Sequence, residues 1–339
     1  KQMNQIPDKY KLISSIEEVS DPVFACAHKD NLSAFGTFYE DQDNYVFVAI
    51  DEKIIAIKGP YFFPILSVCI VSHQLDQLGV HCLFVGSNEI DVYFINCGEV
   101  KLLAKAIPSI YFDGIVNINY NDKFLIVRSG DRRVILFEFD FEKIIKNYYI
   151  QLQQDKEFNY ELIELQNMQV QAGDIQVYEQ TPQFIILMNL SETQFALQQF
   201  RKDQTFGRYK NQISLQIDEQ PLKFICITGL DTISADFYLL YQSKIQAFSV
   251  VSEYGQFKVE GFKTLKNVSG YNNFSYDSVK NKLLGVGPFK LDIIELDQNS
   301  VNYEGKIKEI ELKFEGENIC FAQNCVYVVG NGGIQKINW

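Results

Sequence analysis

Four side chains of metal-ligand type fall between positions 69 and 82: Cys69, His73, His81 and Cys82. Thiolate and imidazole are the donors that zinc takes in tetrahedral sites. On extended backbone, successive side chains point to opposite faces, so Cys69 and His73 share a face whereas His81 and Cys82 diverge. Gathering all four around one ion requires a bulge. The competing reading, packed thiols beside hydrogen-bonded or solvent-facing histidines, needs no such distortion. The four therefore stand as weak metal candidates, and no metal or cofactor is expected. Cys320 and Cys325 flank a single hairpin with no His nearby, which leaves a metal too few donors.

Arg128, Arg132 and Arg133 are three of only five arginines, and they surround one turn. Guanidinium forks suit carboxylate and phosphate groups, which makes the three partner-binding candidates. The alternative is a solvated hairpin on a chain that needs surface charge. Residues 285–288 (Gly-Val-Gly-Pro) and 330–333 (Gly-Asn-Gly-Gly) have the composition of phosphate-cradling loops. Each lies between two β runs rather than before a helix, so both read as hairpin turns. Asp41 with Asp43 and Glu161 with Glu164 fall in loops or at exposed positions, where solvation accounts for them. The chain has no Gly-x-Ser-x-Gly, no Gly-Lys-Ser/Thr phosphate loop, no Gly-x-Gly-x-x-Gly, no His-Glu-x-x-His, and three His in all. Nucleophilic or histidine acid–base catalysis has few candidates, and no catalytic residue is expected.

The elements that must position these groups are short β runs in pairs, rich in Val, Ile, Phe and Tyr and separated by turn residues. The pairs are 45–50 with 54–58, 81–85 with 90–95, 124–127 with 134–139, 237–242 with 245–251, 283–286 with 290–296, and 326–329 with 334–339. Several are apolar at consecutive positions, as in strands buried on both faces. Recurrence at roughly 40–55 residues is the signature of a repeat architecture, and four-strand units of that size make a β-propeller. Each pair is expected to form the second and third strands of a blade. Residues 115–120, 224–228, 274–277 and 319–323 then supply first strands, and 100–106, 148–153, 212–217 and 307–312 outer strands. The last run, 334–339, reads as a third strand, so 11–16 is expected to pair with the C-terminal blade and close the ring, which removes two exposed edges.

The resulting expectation is one all-β domain over 1–339, a propeller of seven four-stranded antiparallel blades. The blades fall near 22–66, 67–108, 113–155, 166–218, 221–266, 272–313, and 317–339 together with 10–17. Residues 141–154 have the alternative of a short helix, because Ile144, Ile145 and Tyr148 would share a face. The fourth blade is compositionally odd: 16 of the 70 residues from 151 to 220 are Gln. Codon bias with long solvated loops explains this, and a partner-binding insertion is the functional alternative.

Composition limits the classes of function. Of 339 residues, 47% are apolar and 22% charged, which excludes general disorder. The net charge of −12 argues against nucleic acid as a partner. No apolar run reaches the roughly 18 residues of a membrane helix, so no membrane insertion is expected. The chain begins at Lys1, which fits either processing or one domain of a longer protein. Seven cysteines, an odd number lying mostly in apolar runs, read as reduced thiols of an intracellular protein, cytoplasmic or associated with an organelle or the cytoskeleton. Asn-x-Ser sequons at Asn31, Asn189, Asn267 and Asn273 keep a secretory route open. The Gln, Asn, Lys and Tyr content suggests a biased eukaryotic genome, such as a protist's.

Residues 119–131, Asn-Tyr-Asn-Asp-Lys-Phe-Leu-Ile-Val-Arg-Ser-Gly-Asp, resemble the stretch from first to second strand of a WD40 repeat. In the continuation Arg132-Arg133-Val134-Ile135-Leu136-Phe137-Glu138, Phe137 stands where that family has Trp, and Glu138 where it has Asp. Ser275-Tyr276-Asp277 followed by Lys282-Leu283-Leu284 looks like the same turn in the sixth blade. No Gly-His begins a blade and no Trp-Asp ends one, so the family's Asp–His–Ser/Thr–Trp network cannot take its usual form. The resemblance implies a divergent WD40-like seven-bladed propeller.

Three functions fit. The first is a non-catalytic protein–protein interaction scaffold, a structural subunit of a larger eukaryotic assembly whose partners are other proteins. The second is a propeller enzyme or a small-ligand or carbohydrate binder using the central channel, where the third blade would present Asn117 and Asn119. The third is a secreted recognition protein. No ring of Glu, Asp or His recurs at matching first-strand positions, which favours the scaffold.

Overall fold

The computed structural model describes residues 6–75, 78–96, 98–106, 114–121, 124–153, 160–169, 175–180, 183–191, 194–201, 212–216, 219, 221–226, 234–242, 244–253, 256–267, 270–277, 280–295 and 307–338. It divides into two compact units, Lys1–Asn167 with Cys320–Trp339, and Met168–Ile319.

Unit 1 begins with two antiparallel four-stranded sheets. The first is β1 (Val23–Lys29), β2 (Leu32–Thr37), β3 (Asn44–Ile50) and β4 (Lys53–Tyr61). The second is β5 (Ser67–Leu75), β6 (Leu78–Gly86), β7 (Ile90–Asn96) and β8 (Glu99–Ala106). The third contains β9 (Ile115–Asn121), β10 (Phe124–Ser129) and β11 (Arg133–Glu138), then α1 (Phe141–Gln153), then β12 (Ile163–Gln169) as outer strand. In all three, strands follow one another in chain order, each paired with the next.

Alternation builds the core. Along β3, Tyr45, Phe47 and Ala49 face one apolar cluster with Phe35, Tyr327 and Val329. Val46 and Val48 face another with Leu83, Val85, Tyr93 and Ile95 of the second sheet. That sheet's other face, Val80, Cys82, Phe84, Val92 and Phe94, meets Leu125, Val127, Ile135 and Phe137 of the third. Each sheet is thus apolar on both sides, and each fully buried Val, Leu, Ile or Phe contributes about 1.5–3 kcal/mol.

Glycines set the spacing between neighbouring sheets. A Cβ on Gly36 would lie 2.4 Å from Cγ2 of Ile65, and one on Gly86 2.7 Å from Cγ2 of Ile115. Beside them, the Ile65 amide donates to the Thr37 carbonyl at 3.1 Å and the Ile115 amide to the Ser87 carbonyl at 2.6 Å. The residue entering each new sheet is therefore clasped to the end of the previous sheet's second strand.

Three expectations are corrected. The pair 45–50 and 54–58 forms the third and fourth strands of the first sheet, not the second and third, because 23–29 and 32–37 precede it. Residues 148–153 belong to α1, with Ile144 and Ile145 buried and Tyr148 packed 4.7 Å from Phe94. The outer strand of the third sheet comes instead from β12. Residues 11–16 do not form a strand on the C-terminal sheet. Two 3-10 turns, Asp8–Tyr10 and Ile16–Glu18, flank this segment, and Ser15 makes an isolated bridge to Lys53 of the first sheet. The Ser14 amide donates to Glu18 at 2.9 Å and the Glu17 amide to Ser15 Oγ at 3.4 Å. Serine followed by glutamate thus caps a helical turn rather than feeding a ladder. Tyr10, Ile16 and Val19 pack with Tyr327, Val329 and Ile334 of β24 (Cys325–Gly330) and β25 (Gly333–Asn338), so the two ends of the chain share one core.

Unit 2 contains two further four-stranded sheets. One is β13 (Ile175–Gln180), β14 (Gln183–Ser191), β15 (Gln194–Arg201) and β16 (Gln212–Gln216). The other is β17 (Lys223–Cys226), β18 (Ser234–Leu240), β19 (Lys244–Glu253) and β20 (Gln256–Asn267). The side chains of 166–215 lie outside the described residues, so the glutamine-rich stretch and Asn189 are placed by backbone only. The final elements are β21 (Asn273–Asp277), β22 (Lys282–Glu295) and β23 (Ile307–Phe321), which continue into β24 and β25 in a five-stranded order. Straight, the fourteen residues of β22 would span about 43 Å. Yet Lys282 Nζ lies 3.1 Å from Glu295 Oε1. β22 therefore doubles back, at Gly287-Pro288-Phe289, where Phe289 has φ +56°. Its first half pairs with β21 and its second with β23, which is four strands in effect.

Phe139 contacts Phe84, Tyr120, Phe141 and Tyr160 with ring centroids 4.9–6.0 Å apart. Phe139→Ala is expected to cost about 3–5 kcal/mol of stability. Exposed Ile150→Ser on α1 should change it by less than about 0.5 kcal/mol. Urea unfolding midpoints of the two variants check the contrast.

Candidate functional site

The four ligand-type residues do not converge. In the β5–β6 ladder, Val71 pairs with Cys82 and Ser72 with His81, which puts Cys82 and His81 on opposite faces. Cys69 and Cys82 pack in the apolar layer with Phe84 and Val127. Burial pushes the Cys69 thiol up to about 12 and that of Cys82 well above its usual value. His73 lies on the side of Phe141, with ring centroids 6.1 Å apart. His81 shares a 2.7 Å hydrogen bond between its Nδ1 and Ser72 Oγ. Among the described residues, no group of three or more His, Cys, Asp or Glu side chains is placed to hold a metal.

The three arginines are also placed apart. Arg133 Nε donates to Asp131 at 3.0 Å, and its amide donates to Ser129 Oγ at 3.2 Å; Ser129 also bonds Asp131. The Ser-Gly-Asp turn is stapled by its own side chains. Arg128 is half-buried in β10, opposite Val134. Arg132, at φ +66°, is the one directed fully to solvent. Of residues 285–288, Gly285 and Val286 pair with β21 and Gly287 and Pro288 enter the reversal within β22, and 330–333 form the β24–β25 turn.

Where the WD40 network is missing, the structure has buried carboxylates held by tyrosines. Asp91 of β7, 3% exposed, accepts from the hydroxyls of Tyr61 and Tyr93 at 3.1 Å each, with Lys105 at 3.1 Å. Asp292 in the second half of β22 accepts from Tyr271, with Lys290 at 3.3 Å. Asp21 accepts from Tyr39 at 2.5 Å and from Lys9 at 2.7 Å. Desolvation, then the neighbouring carboxylate, raises the Tyr39 and Tyr271 phenols; for Tyr61 the other phenol adds to desolvation. All stay protonated donors. Each carboxylate thus meets phenol and ammonium groups within the fold, as suits a structural role, while Asp91 Oδ1 and Asp292 Oδ1 are buried without a hydrogen bond among the described residues.

The open surface of unit 1 lies beside the Asp91 cluster. The chain leaves β4 through Gly59-Pro60-Tyr61 and projects Phe62 and Phe63, 81% and 45% exposed, their rings edge-to-face at 5.2 Å. Phe62 and Tyr45 separate two clefts. One, of about 640 Å³, is lined by Ile57, Tyr61, Leu102 and Lys105 among others. The other, of about 620 Å³, is bounded by Lys9 and the acidic loop Glu40, Asp41 and Asp43. Sequence reading treated Asp41 and Asp43 as merely solvated and overlooked the phenylalanines. The available signal was two consecutive Phe between Pro60 and Pro64, residues that a sheet accepts only at its edge or outside it.

No protein-family model matches the chain, and no curated protein matches it. Solved structures do. The WD40 domain of Toxoplasma gondii coronin superposes with a TM-score of 0.62 at 8% identity, over 94% of this chain and 83% of that one. Sqt1 of Saccharomyces cerevisiae gives 0.59 at 11%, over 96% and 84%. The Dos1 propeller gives 0.57 at 13%, over 95% and 93%. The chain has the fold of a WD40-like β-propeller, built from small antiparallel four-stranded sheets. Phe137 is buried in the inter-sheet core. No helix among the described residues is long and apolar enough to cross a membrane.

Burial lowers the pKa of both His81 and His28. Each is therefore held neutral in the fold and takes a proton more readily when unfolded. Stability from this source is complete above about pH 6.5, the unfolded value, and falls as pH drops through the lowered native values. Urea midpoints should decline as the pH drops below about 6.5, and the double variant His28→Gln/His81→Gln should flatten that decline.

Proposed function

We propose that the chain is a non-catalytic scaffold, a seven-bladed WD40-like propeller serving as one subunit of a larger intracellular, eukaryotic protein assembly. The carrying observation is the contrast between its two kinds of polar cluster. The buried carboxylates are each closed off by tyrosine and lysine, whereas an aromatic pair and an acidic loop are left in solvent. Exposed aromatic side chains are enriched at the energetic centres of protein interfaces. The seven-blade count is supported by five four-stranded sheets, by β22 doubling back to complete a sixth, and by β24 and β25 with the end of β23 as a seventh. One domain over 1–339 belongs to the same reading, and the shared core of both chain ends supports closure within unit 1. The intracellular reading is supported by unpaired thiols at Cys69, Cys82, Cys320 and Cys325. Of the arginines, Arg132 is the one whose placement fits a partner contact.

The test is mild affinity purification of the tagged native protein, with sizing and mass spectrometry. Reproducible partners at fixed stoichiometry, in a particle well above 39.1 kDa, are expected. Recovery as a lone monomer would overturn the scaffold reading.

A further inference from the structure

The surface around Phe62 carries more information than exposure alone. Leu102 and Ile6, both exposed, border the same cleft as Phe62, so its apolar lining is contiguous rather than scattered. Such contiguous patches on soluble proteins mark binding sites. Each cleft has the volume that a ligand pocket offers to one or two large side chains. Tyr45 and Phe62 line both clefts, so one occupant can cross from one to the other.

The charges are unequal across this surface. Its basic groups are already engaged. Lys9 pairs with Asp21 at 2.7 Å, Lys105 with Glu89 at 2.8 Å, and Lys58 donates to the Val100 carbonyl at 2.9 Å. Glu40, Asp41 and Asp43 have no cation partner among the described residues, and all three are exposed. The acidic wall repels phosphate-bearing ligands and favours cations. Its position beside an aromatic anchor favours cations carried on an apolar segment.

Resting on the scaffold reading, we infer that this surface docks a short partner-protein segment bearing lysine or arginine next to large apolar side chains. Its cationic groups face Glu40, Asp41 and Asp43. Its apolar side chains cover Phe62 and enter the cleft between Ile57 and Leu102. Aromatic burial supplies most of the affinity, and the acidic loop supplies orientation and salt dependence.

The experiment uses the full chain in its native assembly. Carbodiimide joins a carboxylate directly to a lysine amine, so mass spectrometry of crosslinked purified particles reads out what faces the acidic loop. Crosslinks from Glu40, Asp41 or Asp43 to a lysine within an apolar partner segment are expected. Phe62→Ser, and separately Glu40→Gln/Asp41→Asn/Asp43→Asn, should lower recovery of that partner at least tenfold at unchanged melting temperature. Ile150→Ser should not. A synthetic peptide of the crosslinked segment should bind wild type, lose affinity at 0.5 M salt (about half the Debye length of physiological buffer or less), and bind Phe62→Ser at least tenfold more weakly. If partners are recovered but crosslinks map elsewhere, or both variants keep the partner, the docking surface is wrong while the scaffold stands. If wild type recovers no partner, both readings fall.

Discussion

Strands that are apolar on both faces leave the chain one way to escape water, which is to stack its sheets face against face. β3 shows the constraint most plainly. Tyr45, Phe47 and Ala49 need one apolar neighbour, and Val46 and Val48 need another. A single sheet cannot satisfy both, and neither can a two-layer sandwich. The second sheet repeats the demand, with Leu83 and Val85 on one side and Cys82 and Phe84 on the other. Each sheet therefore recruits the next, and a repeat architecture follows from side-chain alternation alone. The Gly36–Ile65 and Gly86–Ile115 contacts then fix how closely successive sheets approach.

Stacking raises a second problem, since a polar group placed between sheets has no water. WD40 repeats meet this with histidine and tryptophan, of which this chain has three and one. Here a carboxylate takes the hydroxyls of one or two tyrosines and the ammonium of one lysine. An unpaired buried charge costs several kcal/mol, while each charge-assisted hydrogen bond contributes about 1.5–3 kcal/mol net. Two phenols and a lysine are thus enough to hold Asp91 in place. The 19 tyrosines, read from composition as a genomic habit, include the donors for this network.

Period-two apolar runs and turn residues made the sheets legible. The pairing of β6 with β7 and of β10 with β11 follows the pairs seen in the sequence. Where two readings competed, local spacing was the better guide. Residues 148–153 were assigned to an outer strand by blade count, but the helical alternative over 141–154, read from Ile144, Ile145 and Tyr148, is the one the structure adopts. Residues 11–16 were assigned to a strand by an argument about ring closure, whereas the local Ser-Ile-Glu-Glu sequence caps a turn. The face rule separated His81 from Cys82 correctly, because it depends only on backbone geometry. The candidate surface was not legible. The distance between Asp41 and Phe62 in sequence is bridged by the β3–β4 hairpin, and no local pattern reports that.

The same bookkeeping of charge explains why the surface has its character. The buried acids engage neighbouring cations, as Asp91 does Lys105, which also reaches the turn residue Glu89, and as Asp21 does Lys9. With 43 acidic and 31 basic residues, each buried carboxylate paired with a lysine removes one charge of each sign, so the whole excess of acid stays with the solvent-facing groups. Uncompensated acids gather where the chain turns between strands, and at Glu40, Asp41 and Asp43 they share a cleft with Phe62, just past the end of β4. Core neutrality and a negative, aromatic-tipped exterior are two consequences of one charge balance. That balance sets which partners can approach before any specific contact is made.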